Sequence, residues 1–503
     1  SNTPGTAVKL WVTDMPRQGR YRMIQRLSAV LGLAPKELAR RVDEAAADPL
    51  TPITLKTAVG DDQVMYLYEH QSEFPGVVIE QTYLRHYPFK ALAAQLLGSV
   101  GEISAEELER KRDEGYVLGD RIGKSGVEAA FDTYLRGEAG VAQIRVDSLG
   151  RPQSRLEVRR DARPGYAVRL TLDAKLQRAA ERALVYGIET AKANESYFAN
   201  GGAIVALDPR DGAVLAMASH PTFKPSVWVG RIDPKKVAPL LDAEAAEKAN
   251  YPGVNRATSG LYPPGSTWKP VTALAAMQEH MLAPYESIQC TPTATYGLDR
   301  QEFRNWNPYV NEPMTLSVAL AESCDTYFYE VGDRFYERGL SERSYWTRMQ
   351  DWAARFGFGR TTGIDVGGEA PGLLPTPEWR RTTYTTDRDR AWNPGDLIQY
   401  SIGQKDLTVT PLQMARFYAL LANGGNLVTP YVVAAVEQPG GDGEAPVVLR
   451  SFAPEPPTPV GLDPAALEVV QSGLYLATHA ADGTSSAVFA DYPVPIAGKT
   501  GTA

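Results

Sequence analysis

The feature that most constrains this chain is a set of three short motifs that lie far apart in the sequence. Ser266 is the only serine followed three positions later by a lysine, which is Lys269. Ser323 is the only serine with an aspartate or asparagine two positions later, which is Asp325. Lys499 begins a Lys-Thr-Gly sequence. Each motif alone would be weak, but together and in this order they predict one reaction centre.

The spacing of Ser266 and Lys269 suits a serine nucleophile that needs no histidine. Residues at positions i and i+3 share one face of a helix, so an amine can take the proton of the hydroxyl. Part of the Lys269 population must then be neutral, which requires burial or a nearby cation to lower its pKa from about 10.4. We expect Ser266 to begin a helix with Pro270 in its first turn, where N–H groups lack intrahelical partners. Those N–H groups favour an alkoxide-like oxygen.

The other two motifs supply groups that such a nucleophile needs. Lys499 is the candidate second cation near Lys269. Ser323 can relay a proton to the leaving group, and Asp325 can accept a hydrogen bond from the acceptor amide of a peptide. The threonines after Lys499 offer hydroxyls, and we expect them to lie on a strand that can pair with an extended peptide.

Composition limits the classes to which the chain can belong. Its 503 residues exceed a typical single core, so we expect two or more domains. A hydrophobic fraction of 43% and a charged fraction of 22% are ordinary for a globular protein. The net charge of −8 argues against a nucleic-acid surface, and we predict no nucleic-acid partner. No stretch approaches the roughly 18 apolar residues that a membrane-spanning helix needs.

Cysteine and histidine patterns argue against other chemistries. Cys290 and Cys324 form no CxxC pair; a disulfide stays open, but we predict two partly buried thiols. The five histidines are isolated, with no HExxH motif, and no GxSxG elbow supports a Ser-His-Asp hydrolase. A second Lys-Ser-Gly at residues 124–126 precedes the serine-lysine motif, and we interpret it as a structural turn into a helix.

Local patterns predict a sheet covered by helices, and therefore an α+β, multidomain fold. Helices are predicted over residues 19–32, 35–47, 104–114, 175–190, 410–423 and 464–478, with helices dominating 266–356. Strands are predicted over residues 64–68, 77–80, 168–172, 202–207, 213–218 and 494–497. Asp173 is expected to cap the helix that follows it. The Pro- and Gly-rich residues 437–460 are expected to form an irregular surface loop.

The motifs resemble those of the class B penicillin-binding proteins, and the likeness covers nearly the whole chain. Segments 85–88, 123–128 and 135–137 resemble the family's N-terminal pedestal. Segments 170–177 and 215–219 resemble the opening of its transpeptidase domain. Segments 323–329, 372–379, 401–404 and 410–413 resemble the elongation-type penicillin-binding protein 2 branch. Members of this branch are peptidoglycan D,D-transpeptidases.

The resemblance implies an architecture and a set of site residues. Residues 1–165 would form the pedestal, or dimerisation domain, of mixed strands and helices. Residues 166–503 would form the transpeptidase domain, an antiparallel sheet covered by helices as in serine β-lactamases, and we expect further strands after Ala503. The implied catalytic residues are Ser266 as the acylated nucleophile, Lys269 as its base, Ser323, Asp325 and Lys499; the implied substrate-binding residues are Thr500, Gly501 and Thr502. The backbone N–H groups of Ser266 and Thr502 would form the oxyanion hole.

The implied reaction is attack on the D-Ala-D-Ala bond of a stem peptide, followed by aminolysis by a neighbouring stem. β-Lactams would acylate the same serine. Implied partners are a SEDS-family glycosyltransferase and other membrane proteins of the elongation complex. The family carries a single-pass membrane anchor, absent from this sequence, and places its catalytic domain on the extracytoplasmic side. We predict no cofactor and no metal, because only His280 and Cys290 could match the zinc ligands that some relatives have between Ser266 and Ser323.

Two alternatives stay open. The first is a D,D-carboxypeptidase or serine β-lactamase, which shares the three motifs but lacks the pedestal segments; rapid turnover of penicillin would favour it. The second is a non-catalytic scaffold, but the presence of intact Ser266, Lys269 and Lys499 argues against it. Failure of penicillin to label Ser266 would favour the scaffold.

Overall fold

The computed structural model describes residues 2–16, 18–44, 52–117, 119–138, 140–143, 145, 157–230, 232–440 and 444–502. The N-terminal part contains short strands and helices in alternation. Its strands are β1 (Asn2–Leu10), β2 (Ile53–Lys56), β3 (Val77–Arg85), β4 (Val100–Glu102), β5 (Arg121–Gly123), β6 (Val141–Gln143) and β7 (Glu157–Arg160). Its helices are α1 (Arg20–Leu31), α2 (Pro35–Glu44), α3 (Asp61–Glu69), α4 (Ala94–Leu97), α5 (Ala105–Arg110), α6 (Gly126–Ala130) and α7 (Asp132–Leu135).

A small sheet forms the centre of the first 85 residues. β1 lies between β2 and β3 and is antiparallel to both. Leu10 of β1 is fully buried against Leu27 of α1 and Leu38 of α2. The predicted helix over residues 35–47 is present as α2, and residues 45–47 lie outside the described residues.

The predicted strand over residues 64–68 is wrong, because this segment lies inside α3. Asp61 in the first turn favours a helix electrostatically, and Gln63 accepts a hydrogen bond from the Gly60 N–H. The burial pattern has helical spacing as well: Val64 and Leu67, three positions apart, face inward, while Met65 and Tyr68, also three apart, are exposed. A short run of apolar and aromatic residues suits either structure, and here the polar start of the segment decides.

The C-terminal part contains several small antiparallel sheets among many helices. Its strands are β8 (Ala167–Leu170), β9 (Gly202–Leu207), β10 (Val214–His220), β11 (Ser287–Cys290), β12 (Thr293–Tyr296), β13 (Gln301–Arg304), β14 (Glu312–Thr315), β15 (Asn426–Leu427), β16 (Val433–Gln438), β17 (Val447–Ser451) and β18 (Thr458–Pro459). Its helices are α8 (Ala174–Ala193), α9 (Pro234–Leu241), α10 (Ala243–Lys248), α11 (Arg256–Ser259), α12 (Lys269–Gln278), α13 (Leu316–Ala321), α14 (Asp325–Ser341), α15 (Arg348–Arg355), α16 (Pro377–Thr383), α17 (Asp387–Arg390), α18 (Pro394–Ser401), α19 (Pro411–Ala422), α20 (Pro464–His479) and α21 (Ser486–Phe489).

Two small antiparallel sheets lie near the domain junction. β9 and β10 form an antiparallel hairpin, and β16 lies between β8 and β17. The Val214 N–H donates to the Tyr431 carbonyl at 2.9 Å and so links the hairpin to the segment before β16. Asp173 caps α8 by accepting hydrogen bonds from Lys175 and Leu176, as predicted.

The largest core surrounds α12. Residues 269–277 of this helix are all buried, so it is enclosed by other helices on every side. α14 packs against α18, and α13 packs against α20. Trp268, Phe328 and Phe417 are fully buried in this core. The core therefore fixes the helix that follows Ser266.

Three further predictions need correction. Residues 437–460 are not wholly irregular, since β17 pairs with β16 and β18 pairs with β15; the β-branched Val447 and Val448 favour this pairing. The sequence predicts a strand over residues 494–497 and for the threonines after Lys499, but neither segment forms one. A strand needs a neighbour that completes its hydrogen-bond ladder, and no described strand pairs with these residues. The end of segment 494–497 is held by α20 instead: the Gly498 N–H donates to the Leu474 carbonyl at 3.0 Å. The helical block 266–356 is also interrupted by β11 to β14.

The two parts of the chain share a core of their own. Leu96 and Phe131 from the N-terminal part pack with Met217 and Val433 from the C-terminal part. The Glu181 carboxylate accepts the Ala93 N–H at 2.7 Å across the same junction. No helix among the described residues is long and apolar enough to cross a membrane.

Candidate active site

Ser266 lies in a 3-10 turn, Gly265–Trp268, that leads directly into α12. Residues at i and i+3 eclipse each other in such a turn, so Ser266 and Lys269 share one side. Pro270 lies in the first turn of α12, as predicted. Ser266 itself is half-buried. The helix prediction therefore needs one adjustment, since the α-helix proper begins at Lys269.

Lys269 is fully buried and held by the second motif. Its ammonium nitrogen donates to the Ser323 carbonyl at 2.6 Å, to the Ser323 hydroxyl at 3.2 Å and to Asp325 Oδ1 at 2.6 Å. Burial lowers the pKa of Lys269, and the Asp325 carboxylate opposes this effect. Desolvation is the larger cause, so at a given pH a larger fraction of Lys269 is neutral than of a lysine in water.

The second motif forms a tight turn between two helices. Ser323 follows α13 with φ of 60°, and Cys324 is the N-cap of α14. Asp325 is the first residue of α14, and the Asn305 side chain accepts its N–H at 3.0 Å. Its second carboxylate oxygen accepts the Trp306 N–H at 2.9 Å. Both oxygens of Asp325 are thus occupied, which fixes the carboxylate toward Lys269.

The predicted pair of free thiols is wrong: Cys290 and Cys324 form a disulfide, with their Cα atoms 6.3 Å apart. Cys290 ends β11, and the pairing of β11 with β14 carries it to the start of α14. This proximity arises from tertiary packing across a sequence separation of 34, which the motif spacing does not encode. The Asn305 amide lies 3.4 Å from one sulfur and 3.9 Å from the other.

Lys499 brings a second ammonium to the same centre. It is half-buried, and its nitrogen donates to the Thr500 carbonyl at 3.0 Å. Burial and the charge of Lys269 lower its pKa to about 7, while Asp325 opposes the shift. The hydroxyl of Thr500 donates to the Thr484 hydroxyl at 3.0 Å. The two lysines therefore interact electrostatically around one carboxylate.

The rest of the third motif runs along the turn that contains Ser266. A Cβ atom added to Gly265 would lie 2.1 Å from the Thr502 carbonyl oxygen. A Cβ atom added to Gly501 would lie 2.7 Å from the Thr267 methyl group. The Gln404 amide donates to the Thr502 carbonyl at 3.1 Å. All three sequence motifs therefore meet at one place.

Comparison with known proteins identifies the family. The model of the penicillin binding protein transpeptidase domain matches residues 202–503, and that of the penicillin-binding protein dimerisation domain matches residues 1–170. The peptidoglycan D,D-transpeptidase MrdA of Haemophilus influenzae is 31% identical over 98% of this chain and 71% of the relative. The enzyme of the same name from Escherichia coli K12 is 31% identical over 95% and 70%. The chain belongs to the class B penicillin-binding proteins, in the penicillin-binding protein 2 branch.

Solved structures agree with this assignment to the peptidoglycan D,D-transpeptidases. A chain of a peptidoglycan synthase complex that coordinates polymerization and crosslinking is 30% identical, with a TM-score of 0.67 over 100% of this chain and 78% of that chain. Pseudomonas aeruginosa PBP2 in complex with WCK 5153 is 32% identical, with a TM-score of 0.62 over 84% and 80%. The PBP2 of a PBP2–MreC complex from Helicobacter pylori is 23% identical and shares the fold, with a TM-score of 0.75 over 100% and 85%.

Several residues that shape the centre of this penicillin-binding protein were missed from the sequence. Asn305 and Trp306 orient Asp325, Thr484 contacts the third motif, and Gln404 holds Thr502. Gln404 lies in segment 401–404, which resembles the penicillin-binding protein 2 branch, and this resemblance is the one sequence feature that could have pointed to it. The other three lie in ordinary polar or aromatic contexts, with no motif around them.

Two remaining predictions concern other parts of this penicillin-binding protein. The described residues contain no group of three His, Cys, Asp or Glu side chains able to hold a metal ion. His280 is exposed, and Cys290 is in the disulfide. The second Lys-Ser-Gly sequence is a turn into α6, where Ser125 is the N-cap and Lys124 forms an ion pair with Glu107.

Proposed function

We propose that Ser266 is the nucleophile of this D,D-transpeptidase and that Lys269 is its general base. The observation that supports this most is the buried contact between Lys269 and the Ser323–Asp325 turn. A lysine with no exposed surface is rare. Burial lowers the pKa of Lys269, which shares one turn with the half-buried Ser266, and a lowered pKa suits a general base better than a structural cation.

In the proposed acylation, Ser266 Oγ transfers its proton to Lys269 and attacks the carbonyl carbon of the penultimate D-Ala. The backbone N–H groups of Ser266 and Thr502 stabilise the oxyanion, a contribution of about 3–4 kcal/mol per donor in comparable enzymes. When the peptide bond breaks, a proton passes through Ser323 to the departing amine, and the terminal D-Ala leaves. A stem-peptide amine then attacks the acyl-enzyme, and the released Ser266 oxygen regains a proton.

The third motif is proposed to bind the substrate. Lys499, Thr500 and Thr502 belong to the segment that runs along the turn of Ser266, and they would offer an ammonium and two hydroxyls for the terminal carboxylate and the carbonyl. Gly501 allows the motif to lie close against that turn.

Mass spectrometry after reaction with penicillin tests the assignment. We expect one adduct, on the peptide that contains Ser266, and none in Ser266→Ala or Lys269→Met. Ser125→Ala and Lys124→Met, in the second Lys-Ser-Gly sequence, are matched controls that should label normally. An adduct elsewhere, or full labelling of Lys269→Met, would overturn the proposal.

The lifetime of the adduct distinguishes the transpeptidase from a hydrolase on the same fold. A penicilloyl-enzyme that persists for many minutes, together with cross-linking of stem peptides, is expected. Rapid release of hydrolysed penicillin would instead indicate a carboxypeptidase or β-lactamase reaction.

The setting of the enzyme is also a proposal. We propose that residues 1–165 form the pedestal and residues 166–503 the transpeptidase domain, which the ranges of the two family models support. The enzyme would be anchored in the cytoplasmic membrane and would work outside it with a SEDS-family polymerase and other elongation proteins. Two observations support this setting: similar chains occur in a peptidoglycan synthase complex and in a PBP2–MreC complex, and the disulfide is typical of oxidising compartments. Labelling of intact spheroplasts by a membrane-impermeant penicillin tests the location.

A further inference from the structure

The Cys290–Cys324 disulfide lies within the proposed catalytic machinery. Cys324 stands between Ser323 and Asp325, and both of these neighbours bind the Lys269 ammonium. Cys290 is the last residue of β11, which pairs with β14. The disulfide therefore joins the turn that holds the general base to a separate small sheet.

Weaker contacts run beside this covalent link. The Thr326 hydroxyl accepts the Thr291 N–H and donates to the Thr291 carbonyl, both at 3.0 Å. The Asn305 amide lies against the sulfur atoms while its oxygen accepts the Asp325 N–H. Apart from the contact between Asn305 and Cys290, these hydrogen bonds join residues 290–305 to residues 324–326, so they depend on the two segments staying together.

The turn needs such a constraint because of its backbone. Ser323 has φ of 60°, a left-handed conformation that is unfavourable for a residue with a Cβ atom. A conformation of this kind persists only where the surrounding structure determines it. On one side the turn is held by the Cys324 N–H, which donates to Ala319 of α13 at 3.0 Å. On the other side it is held by the disulfide.

We infer that the Cys290–Cys324 disulfide is a positioning element for the proposed acylation reaction, holding Ser323 and Asp325 against Lys269, so that full activity requires the oxidised form. This inference rests on the function proposed for Ser266 and Lys269. Reduction by a dithiol would break the sulfur–sulfur bond, add two electrons and two protons to give two thiols, and oxidise the dithiol to a disulfide. The turn would then relax, and Asp325 would lie less closely against Lys269.

The test compares acylation by a fluorescent penicillin in the oxidised and the reduced enzyme. The full chain is used at a temperature well below the unfolding transition of both forms, and alkylation followed by mass spectrometry counts the free thiols. We expect reduction to slow acylation by about tenfold to a hundredfold, as a displacement of about 1 Å does at other catalytic centres. Reoxidation should restore the rate. The acidic limb of the pH profile should move to lower pH, because Lys269 loses part of its counter-charge.

The chain contains only these two cysteines, which gives a sharp control. The double variant Cys290→Ser, Cys324→Ser should acylate slowly and should not respond to reductant. If the buried bond resists reduction in the folded enzyme, the double variant alone decides the question. Acylation at the oxidised rate by a reduced enzyme with two free thiols, or by the folded double variant, would overturn the inference. Failure of oxidised enzyme to label at Ser266 would instead overturn the proposed function.

Discussion

The substitution Asp325→Asn tests the electrostatic balance of the site most directly. Lys269 has no exposed surface, and Asp325 Oδ1 lies 2.6 Å from its ammonium nitrogen. The asparagine amide has one oxygen acceptor, whereas the carboxylate accepts both the Lys269 ammonium and the Trp306 N–H. In the variant, one of these two donors must face an NH₂ group, or Lys269 must lose its proton.

The size of the effect follows from this geometry. Removing one partner of a buried ion pair costs about 3–5 kcal/mol when the other charge remains. The transpeptidase family model covers residues 202–503, and a unit of about 300 residues has an unfolding entropy of roughly 0.6 kcal/mol/K. The midpoint of thermal unfolding should therefore fall by about 5–8 °C. Because Asp325 raises the pKa of Lys269, its loss should also move the acidic limb of the acylation profile to lower pH.

Differential scanning calorimetry and the acylation rate between pH 5 and pH 9 measure the two effects. Asp387→Asn, at a fully exposed aspartate, is the matched control and should change the midpoint by less than about 1 °C. Adding Lys269→Met to Asp325→Asn should recover most of the lost stability, since no buried charge remains. A fall of less than about 2 °C in the single variant, with an unchanged pH profile, would refute the reasoning.

Three further predictions concern other contacts. Because the pKa of Lys499 is about 7, this residue loses its charge as the pH rises through that value. Noncovalent binding of penicillin to a variant that lacks the nucleophile, measured by calorimetry, should weaken by about tenfold over the same pH range. Lys499→Arg should remove this pH dependence of binding. Gly403→Ala would place a Cβ atom 2.3 Å from a backbone oxygen at a residue with φ of 75°. The acylation rate should therefore fall severalfold and the melting temperature by several degrees. Gly461→Ala, at φ of 77° with no atom nearby, should lower the melting temperature only by the smaller cost of the backbone conformation. Glu128→Gln removes the buried partner of Arg85 in the N-terminal part and should destabilise the protein by about 2–3 kcal/mol in urea unfolding while leaving penicillin acylation unchanged.

The parts of the site that could be predicted are those encoded by local spacing. The interval between Ser266 and Lys269 sets their relative position within one turn, whatever surrounds it. Asp173 could be assigned as a cap because an N-cap acts on the next three residues. In each case the interacting atoms lie within a few positions of one another.

The contacts that were missed join segments distant in sequence. Asn305 reaches Asp325 across 20 positions, and Cys290 reaches Cys324 across 34. Neither distance follows from a motif, because both depend on how β11 to β14 pack against α14. The strand expected over residues 64–68 failed for a related reason, since the apolar alternation there fits a helix equally well once Asp61 begins it.

The arrangement around Lys269 also explains how a base can be paired with a carboxylate and still work. Burial favours the neutral amine, whereas Asp325 favours the ammonium. In the proposed mechanism it is the neutral fraction of Lys269 that reacts, and within that fraction the ammonium forms as Ser266 gives up its proton, so the interaction with Asp325 strengthens as positive charge develops. An interaction that strengthens on the way to the transition state accelerates the reaction, whereas one that is equal in the resting state does not. The carboxylate therefore contributes most if it is already fixed in place. The Trp306 N–H holds the carboxylate itself, and the Asn305 side-chain oxygen holds the backbone N–H of the same residue.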